Sequence, residues 1–212
     1  MSDQGVMRVL EEVGVLITDS HIVYTSGGHG SAYFNKDAIY PHTEGISSLC
    51  MEIATHFTFA RVDVVIAPAL GGVILSQWTA YHLTGLNGHE VLAVYAEKAE
   101  DGETFVIKRG YDKFIAGMRV LVVEDVLTTG GSAKKVIEAT RAADGEVVGL
   151  GVLCNRGGIK PEDVANPPEL FALVNISLES WSEEECPLCK QGVPVNTDVG
   201  KGWEFLARKQ GV

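Results

Sequence analysis

Two adjacent carboxylates and three hydroxyls within nine residues mark the most chemically loaded stretch of the chain. Val120 to Val123 form an apolar run, Glu124 and Asp125 follow it, and Thr128-Thr129-Gly130-Gly131-Ser132 makes a tight turn. Ala133, Val136, Ile137 and Thr140 then recur at helical spacing. A glycine-rich turn opening a helix gathers backbone N–H groups where the helix dipole also favours an anion. The acids just upstream can reach sugar hydroxyls, directly or through a divalent cation. One element could hold a phosphate and a ribose together. The run lacks the Gly-Lys-Ser/Thr of a nucleotide-binding P-loop.

Four other places carry reactive groups. Ala67-Pro68-Ala69-Leu70-Gly71-Gly72 ends one apolar run and opens a helical pattern, so Ala69 to Gly72 could present backbone donors. Tyr95 to Met118 is polar and holds Lys98, Lys108, Arg109 and Lys113, and a long excursion of this kind reads as a mobile lid. Asn155-Arg156 ends another apolar run, where an arginine can fork onto a carboxylate. Cys186-Pro187-Leu188-Cys189 reads first as a structural or vestigial knuckle, with metal binding and redox chemistry as the alternatives. There is no second CxxC or CxxH, so a metal there needs ligands from elsewhere in the chain or from a partner chain.

The elements that must position these groups read as one α/β domain. The patterns predict a helix at 4–13, a β-hairpin over 21–37 and a helix over 43–58. Strand 62–67, helix 72–84 and strand 90–96 come next, then strand 119–124, helix 131–143 and strands 146–154 and 171–174. Apolar strands separated by helices predict a parallel twisted sheet flanked by helices, with ligands at the carboxyl ends of the strands. The predicted organisation is a single domain: an N-terminal helix and small β hood at 1–42, a core at 43–178 with the lid at about 97–118, and a tail at 179–212.

Composition narrows the function. The 212 residues are 46% hydrophobic with a net charge of −11, which argues against nucleic-acid binding but not against a small anionic substrate. No apolar run suits a membrane span. MSDQGVMRVLEE is no signal peptide, so a cytoplasmic protein with reduced cysteines is expected.

The motif at 120–132 closely resembles the phosphoribosyl-diphosphate (PRPP) site of type I phosphoribosyltransferases, and the chain as a whole is most similar to the orotate-specific branch. The resemblance implies that Glu124 and Asp125 lie along the ribose while Thr128, Thr129, Gly130, Gly131 and Ser132 cradle the 5-phosphate. It makes Ala69, Leu70, Gly71 and Gly72 the pyrophosphate loop, without the lysine that many orotate enzymes carry there. It places Ser26, Tyr33, Phe34 and Lys36 in a hood around the base, and Arg156 on the orotate carboxylate, although the usual preceding Asp is Asn155. Lys98, Lys108 and Arg109, with Asp125, are the implied catalytic groups. Magnesium is the implied cofactor, carried mainly by PRPP and water, and a homodimer the implied assembly. The CPLC tail resembles that of one bacterial branch. A phosphoribosyltransferase for another base, such as a purine, and a PRPP-sensing regulator that lost the chemistry are the alternatives.

Overall fold

The computed structural model describes residues 3–210. In chain order the elements are α1 (Asp3–Glu12), β1 (Leu16–Ile17), β2 (Ile22–Val23), β3 (His29–Gly30), β4 (Tyr33–Phe34), α2 (Thr43–His56), β5 (Val64–Pro68) and α3 (Val73–Asn87). They continue with β6 (Leu92–Lys98), β7 (Phe105–Val106), β8 (Arg119–Leu127), α4 (Gly131–Ala142), β9 (Glu146–Asn155), β10 (Leu170–Asn175), α5 (Pro187–Lys190) and α6 (Gly202–Gln210). Among the described residues no helix is long and apolar enough to cross a membrane.

The chain divides into two compact units. The first comprises the residues up to Met7 and Tyr40–Ile176. Its six-stranded sheet runs β10-β9-β8-β5-β6-β7, parallel throughout except for β7. Continuous apolar strands such as Val64–Ala67 and Val120–Val123 are buried on both faces. Val64, Ile66, Val120, Val122, Leu150 and Val152 pack with Ala133, Val136 and Ile137 of α4. On β9 the alternate residues Gly149 and Gly151 lie against Phe57 and Ile53, at the end of α2. The strand order reverses between β5 and β8, and at such a switch point the loops after neighbouring strands part to leave a crevice. The acids and the Pro68–Gly72 loop follow these two strands.

The second unit joins Arg8–Ile39 to the chain from Ser177 onward. The hood and tail, expected as separate additions, therefore fold together. The expected hairpin is shorter than its 21–37 span: β2 pairs with β3 only, while Tyr33–Phe34 pairs with Leu16–Ile17. The Tyr24 hydroxyl donates to the Ala32 carbonyl, and the pairing partner changes at that corner. The tail adds bridges from His29 to Trp181 and from His21 to Val195.

Candidate active site

Strand register brings the reactive groups to one edge. Glu124 lies opposite Val152, Leu127 opposite Asn155, and Pro68 opposite Ala96. β8 extends to Leu127, past the expected end at 124, so both acids sit within the strand. Glu124 is 7% and Asp125 4% exposed. Buried carboxylates need donors. Asp125 Oδ1 accepts from the Val126 amide at 2.7 Å, and Oδ2 accepts from the Tyr40 hydroxyl at 2.9 Å. Glu124 Oε1 accepts from the Asp125 amide at 3.1 Å. Tyr40 lies in an irregular segment with no period to mark it, and was missed in the sequence.

The turn after β8 is built to receive an anion. The amides of Thr129, Gly130 and Ser132 find no acceptor among the described residues, and the Gly131 amide reaches only Thr129 Oγ1 at 3.4 Å. Gly130 has φ +73°, and a Cβ there would come within 2.5 Å of Val164 Cγ1, so both backbone and space demand glycine. Glu124 and residues 126–133 line a cavity of about 200 Å³ that opens onto this turn. Open N–H groups at the start of α4, within such a cup, suit a phosphate.

The loop after β5 narrows in the same way. The Ala69 amide donates to Ala96 O and the Gly72 amide to Pro68 O, whereas those of Leu70 and Gly71 find no acceptor among the described residues. Leu70 is fully presented to solvent. Of the four expected residues, Leu70 and Gly71 thus carry the open donors. Beyond β9, the backbone amides of Arg156 and Gly157 both donate to Leu127 O. That ties the base of Arg156 to the end of the acidic strand. Asn155 gives its amide hydrogen to Ile159 O at 2.8 Å and accepts from the Ile159 amide at 2.9 Å. An ionised aspartate could make only the second bond.

A family model for the phosphoribosyl transferase domain matches residues 35–186. The chain belongs to the phosphoribosyl transferase domain family. It is 35% identical over 196 residues to the orotate phosphoribosyltransferase of Chlorobium phaeobacteroides, covering 92% of this chain and 95% of that one. It is 37% identical over 195 residues to that of Caldanaerobacter subterraneus subsp. tengcongensis, covering 92% and 96%. Among solved structures it is similar to orotate phosphoribosyltransferase from Aeropyrum pernix, with a TM-score of 0.63 at 24% identity over 80% of this chain and 93% of that one. The Mycobacterium tuberculosis enzyme in complex with inorganic phosphate gives a TM-score of 0.65 at 19% identity over 82% and 96%. These structures share the fold.

The expected lid of this phosphoribosyltransferase is more ordered than its polarity suggested. Glu97 and Lys98 pair with Val106 and Phe105 in a hairpin, and Asp101 caps its tip by accepting from the Glu103 and Thr104 amides and the Thr104 hydroxyl. Phe105 and Ile115 are buried in the core cluster. These two buried anchors hold the excursion to the sheet. Its cations differ in their commitments. Arg109 binds Glu97 Oε1 through Nε at 2.7 Å and Nη2 at 2.6 Å, and lies over the Tyr95 ring. Lys98 and Lys108 are exposed and make no ion pair among the described residues. Lys98 ends β6, two residues beyond the level of Pro68.

The hood residues Ser26, Tyr33, Phe34 and Lys36 belong to the second unit. Ser26 is exposed in the β2–β3 turn, where its Oγ accepts from the Gly28 amide at 3.4 Å. Phe34 is buried while Tyr33 is half-buried, so of the aromatic pair Tyr33 keeps an accessible ring. Lys36 opens a short 3₁₀ turn. The same unit brings His21 and His29 to Cys186 and Cys189. These histidines too were missed in the sequence, because each stands alone in a short segment about 160 residues or more from the cysteines.

Proposed function

We propose that this chain is an orotate phosphoribosyltransferase, converting PRPP and orotate to orotidine 5-monophosphate and pyrophosphate. The observation that carries the reading is the shared strand edge, where a buried acidic pair, a turn with open amides and the tethered base of Arg156 adjoin. The orotate enzymes at 35–37% identity over 92% of the chain support the choice of base.

Each group then has a task. The Thr128–Ser132 turn grips the 5-phosphate far from the reacting carbon, and this remote binding energy orients the sugar. Glu124 and Asp125 accept from the ribose hydroxyls, and their negative charge favours the oxocarbenium-like state at the anomeric carbon. The Leu70 and Gly71 amides and Lys98 receive charge on the departing pyrophosphate, while Arg156 pairs with the orotate carboxylate. A nitrogen of orotate replaces pyrophosphate at that carbon. The oxygen-only donors of Glu124 and Asp125 fit magnesium, a hard cation that keeps several waters. Bound with PRPP, magnesium would neutralise developing phosphate charge. A homodimer and a cytosolic location complete the reading, the first being open to sedimentation measurement.

The test is a panel of bases with PRPP, read by pyrophosphate release with and without magnesium. Orotate should be turned over, and adenine and hypoxanthine rejected. Turnover of a purine instead would reassign the base, and PRPP binding without turnover of any base would leave a sensor.

A further inference from the structure

The second unit holds a constellation that phosphoribosyl transfer does not use. His21 Nε2, His29 Nδ1, Cys186 Sγ and Cys189 Sγ all lie within 4.8 Å of one another. Three of the four residues are buried, Cys189 partly so, and both cysteines are free thiols. We propose that these four side chains form a closed, structural zinc site.

Distances support one shared ion. A tetrahedral zinc with sulfur at about 2.3 Å and nitrogen at about 2.05 Å separates a sulfur from a nitrogen ligand by about 3.5 Å. Here both Cys186 Sγ and Cys189 Sγ are 3.6 Å from His21 Nε2, and Cys189 Sγ is 3.4 Å from His29 Nδ1. The two ring nitrogens are 2.9 Å apart, against about 3.3 Å around the ion, so binding needs only a small outward shift.

The surroundings favour ligation as well. His21 Nδ1 lies 2.8 Å from Val193 O; donation to that carbonyl keeps the lone pair on Nε2, facing the quartet. The Cys189 amide donates to Cys186 Sγ at 3.4 Å, which fixes the sulfur's direction. Pro187 opens the short turn that brings the two sulfurs to the same side. Phe205 covers the His29 ring edge-on, with centroids 4.8 Å apart. A redox CxxC pair would have no need of two buried imidazoles aimed at its sulfurs. Four protein ligands leave no open position, so the site is structural rather than catalytic.

The unit also has reason to need a staple. It is fewer than about 70 residues in two distant segments, and its strands are only two residues long. One ion would fasten the β2–β3 hairpin to the tail across more than 160 residues of chain. A cross-link that closes so long a loop removes much freedom from the unfolded chain.

The experiment measures metal in the wild-type protein purified under reducing conditions without chelator. Elemental analysis should find about one zinc per chain, and X-ray absorption two sulfurs at about 2.3 Å and two nitrogens at about 2.0–2.1 Å. The Cys186→Ser, Cys189→Ser variant should lose the zinc, and stripping the wild type should lower Tm by several degrees. Because the spectrum is taken on the wild type, a variant that misfolds does not remove the test. A metal-free wild type that also fails to take up added zinc overturns the proposal. So do a shell without sulfur, zinc retained by the double variant, or a Cys186–Cys189 disulfide in the freshly isolated chain.

Discussion

The Tyr40 hydroxyl donates a 2.9 Å hydrogen bond to Asp125 Oδ2 across 85 residues of sequence. The carboxylate it holds is one of the two buried acids proposed to accept from the ribose hydroxyls. Losing a hydrogen bond to a charged group costs about 1.5–3 kcal/mol. Tyr40→Phe should therefore lower kcat/KM for PRPP about tenfold or more, with the fold intact by circular dichroism. Asp125→Asn should also cost at least about tenfold, because the ribose then loses the charge itself. Unchanged steady-state kinetics in both variants would remove the acids from the mechanism.

Asn155 bridges Ile159 through both halves of its amide. Asn155→Asp keeps the acceptor but turns a carboxylate oxygen toward the Ile159 carbonyl. The loss should be about 1–3 kcal/mol, or roughly 2–12 °C in Tm for a chain of this size. Arg156 sits at the start of this loop, so KM for orotate should rise while PRPP affinity changes little. Isothermal titration separates the two substrates. Equal weakening of both, with no loss of Tm, would mean the loop does not serve the base.

The parallel sheet was legible because its strands are buried on both faces and read as unbroken apolar runs, such as Val120–Val123. The acidic pair and its turn were legible because few junctions need so many hydrogen-bonding groups. Long-range partnership was not. Tyr40 reaches Asp125 from an irregular segment, and His21 and His29 meet the cysteines only after the tail folds back. The short apolar run Phe105–Ile107 reads as able to form a strand, and Phe105–Val106 does pair as β7. The polarity of residues 97–118 did not show that Phe105 and Ile115 anchor the excursion in the core.

Cys50 and Cys154 provide a pH test. Burial pushes both thiols up to about 12, with Arg156 drawing Cys154 back slightly. An unfolded cysteine titrates near 8.5 (about). The folded value is the higher one, so the native chain holds these protons more tightly. Their contribution to stability is complete below about pH 8.5 and is lost as pH rises toward about 12. Unfolding midpoints should fall over that window, and less steeply in Cys50→Ala. At pH 8.5 iodoacetamide should leave both residues unmodified in the native protein and alkylate them in guanidinium, as peptide mass spectrometry can read. Native-state alkylation at the rate of an unfolded thiol would contradict the burial.

The cations of the 97–118 hairpin should separate by commitment. Arg109 already commits its guanidinium to Glu97 and Tyr95, in an exposed pair that solvent screening leaves with little weight in stability. To meet pyrophosphate it would first have to give up Glu97. Lys98 ends β6, two residues beyond Ala96, which lies opposite Pro68, and has no such partner among the described residues. Lys98→Ala should therefore lower kcat by about tenfold or more, the scale of one charge contact made in the transition state. Arg109→Ala should lower it by less than about threefold, with only a small change in Tm. Rapid-quench measurement of the first turnover isolates the chemical step from product release. A larger loss in Arg109→Ala than in Lys98→Ala would show that the Glu97 pair opens during the reaction and that the hairpin moves as a lid after all.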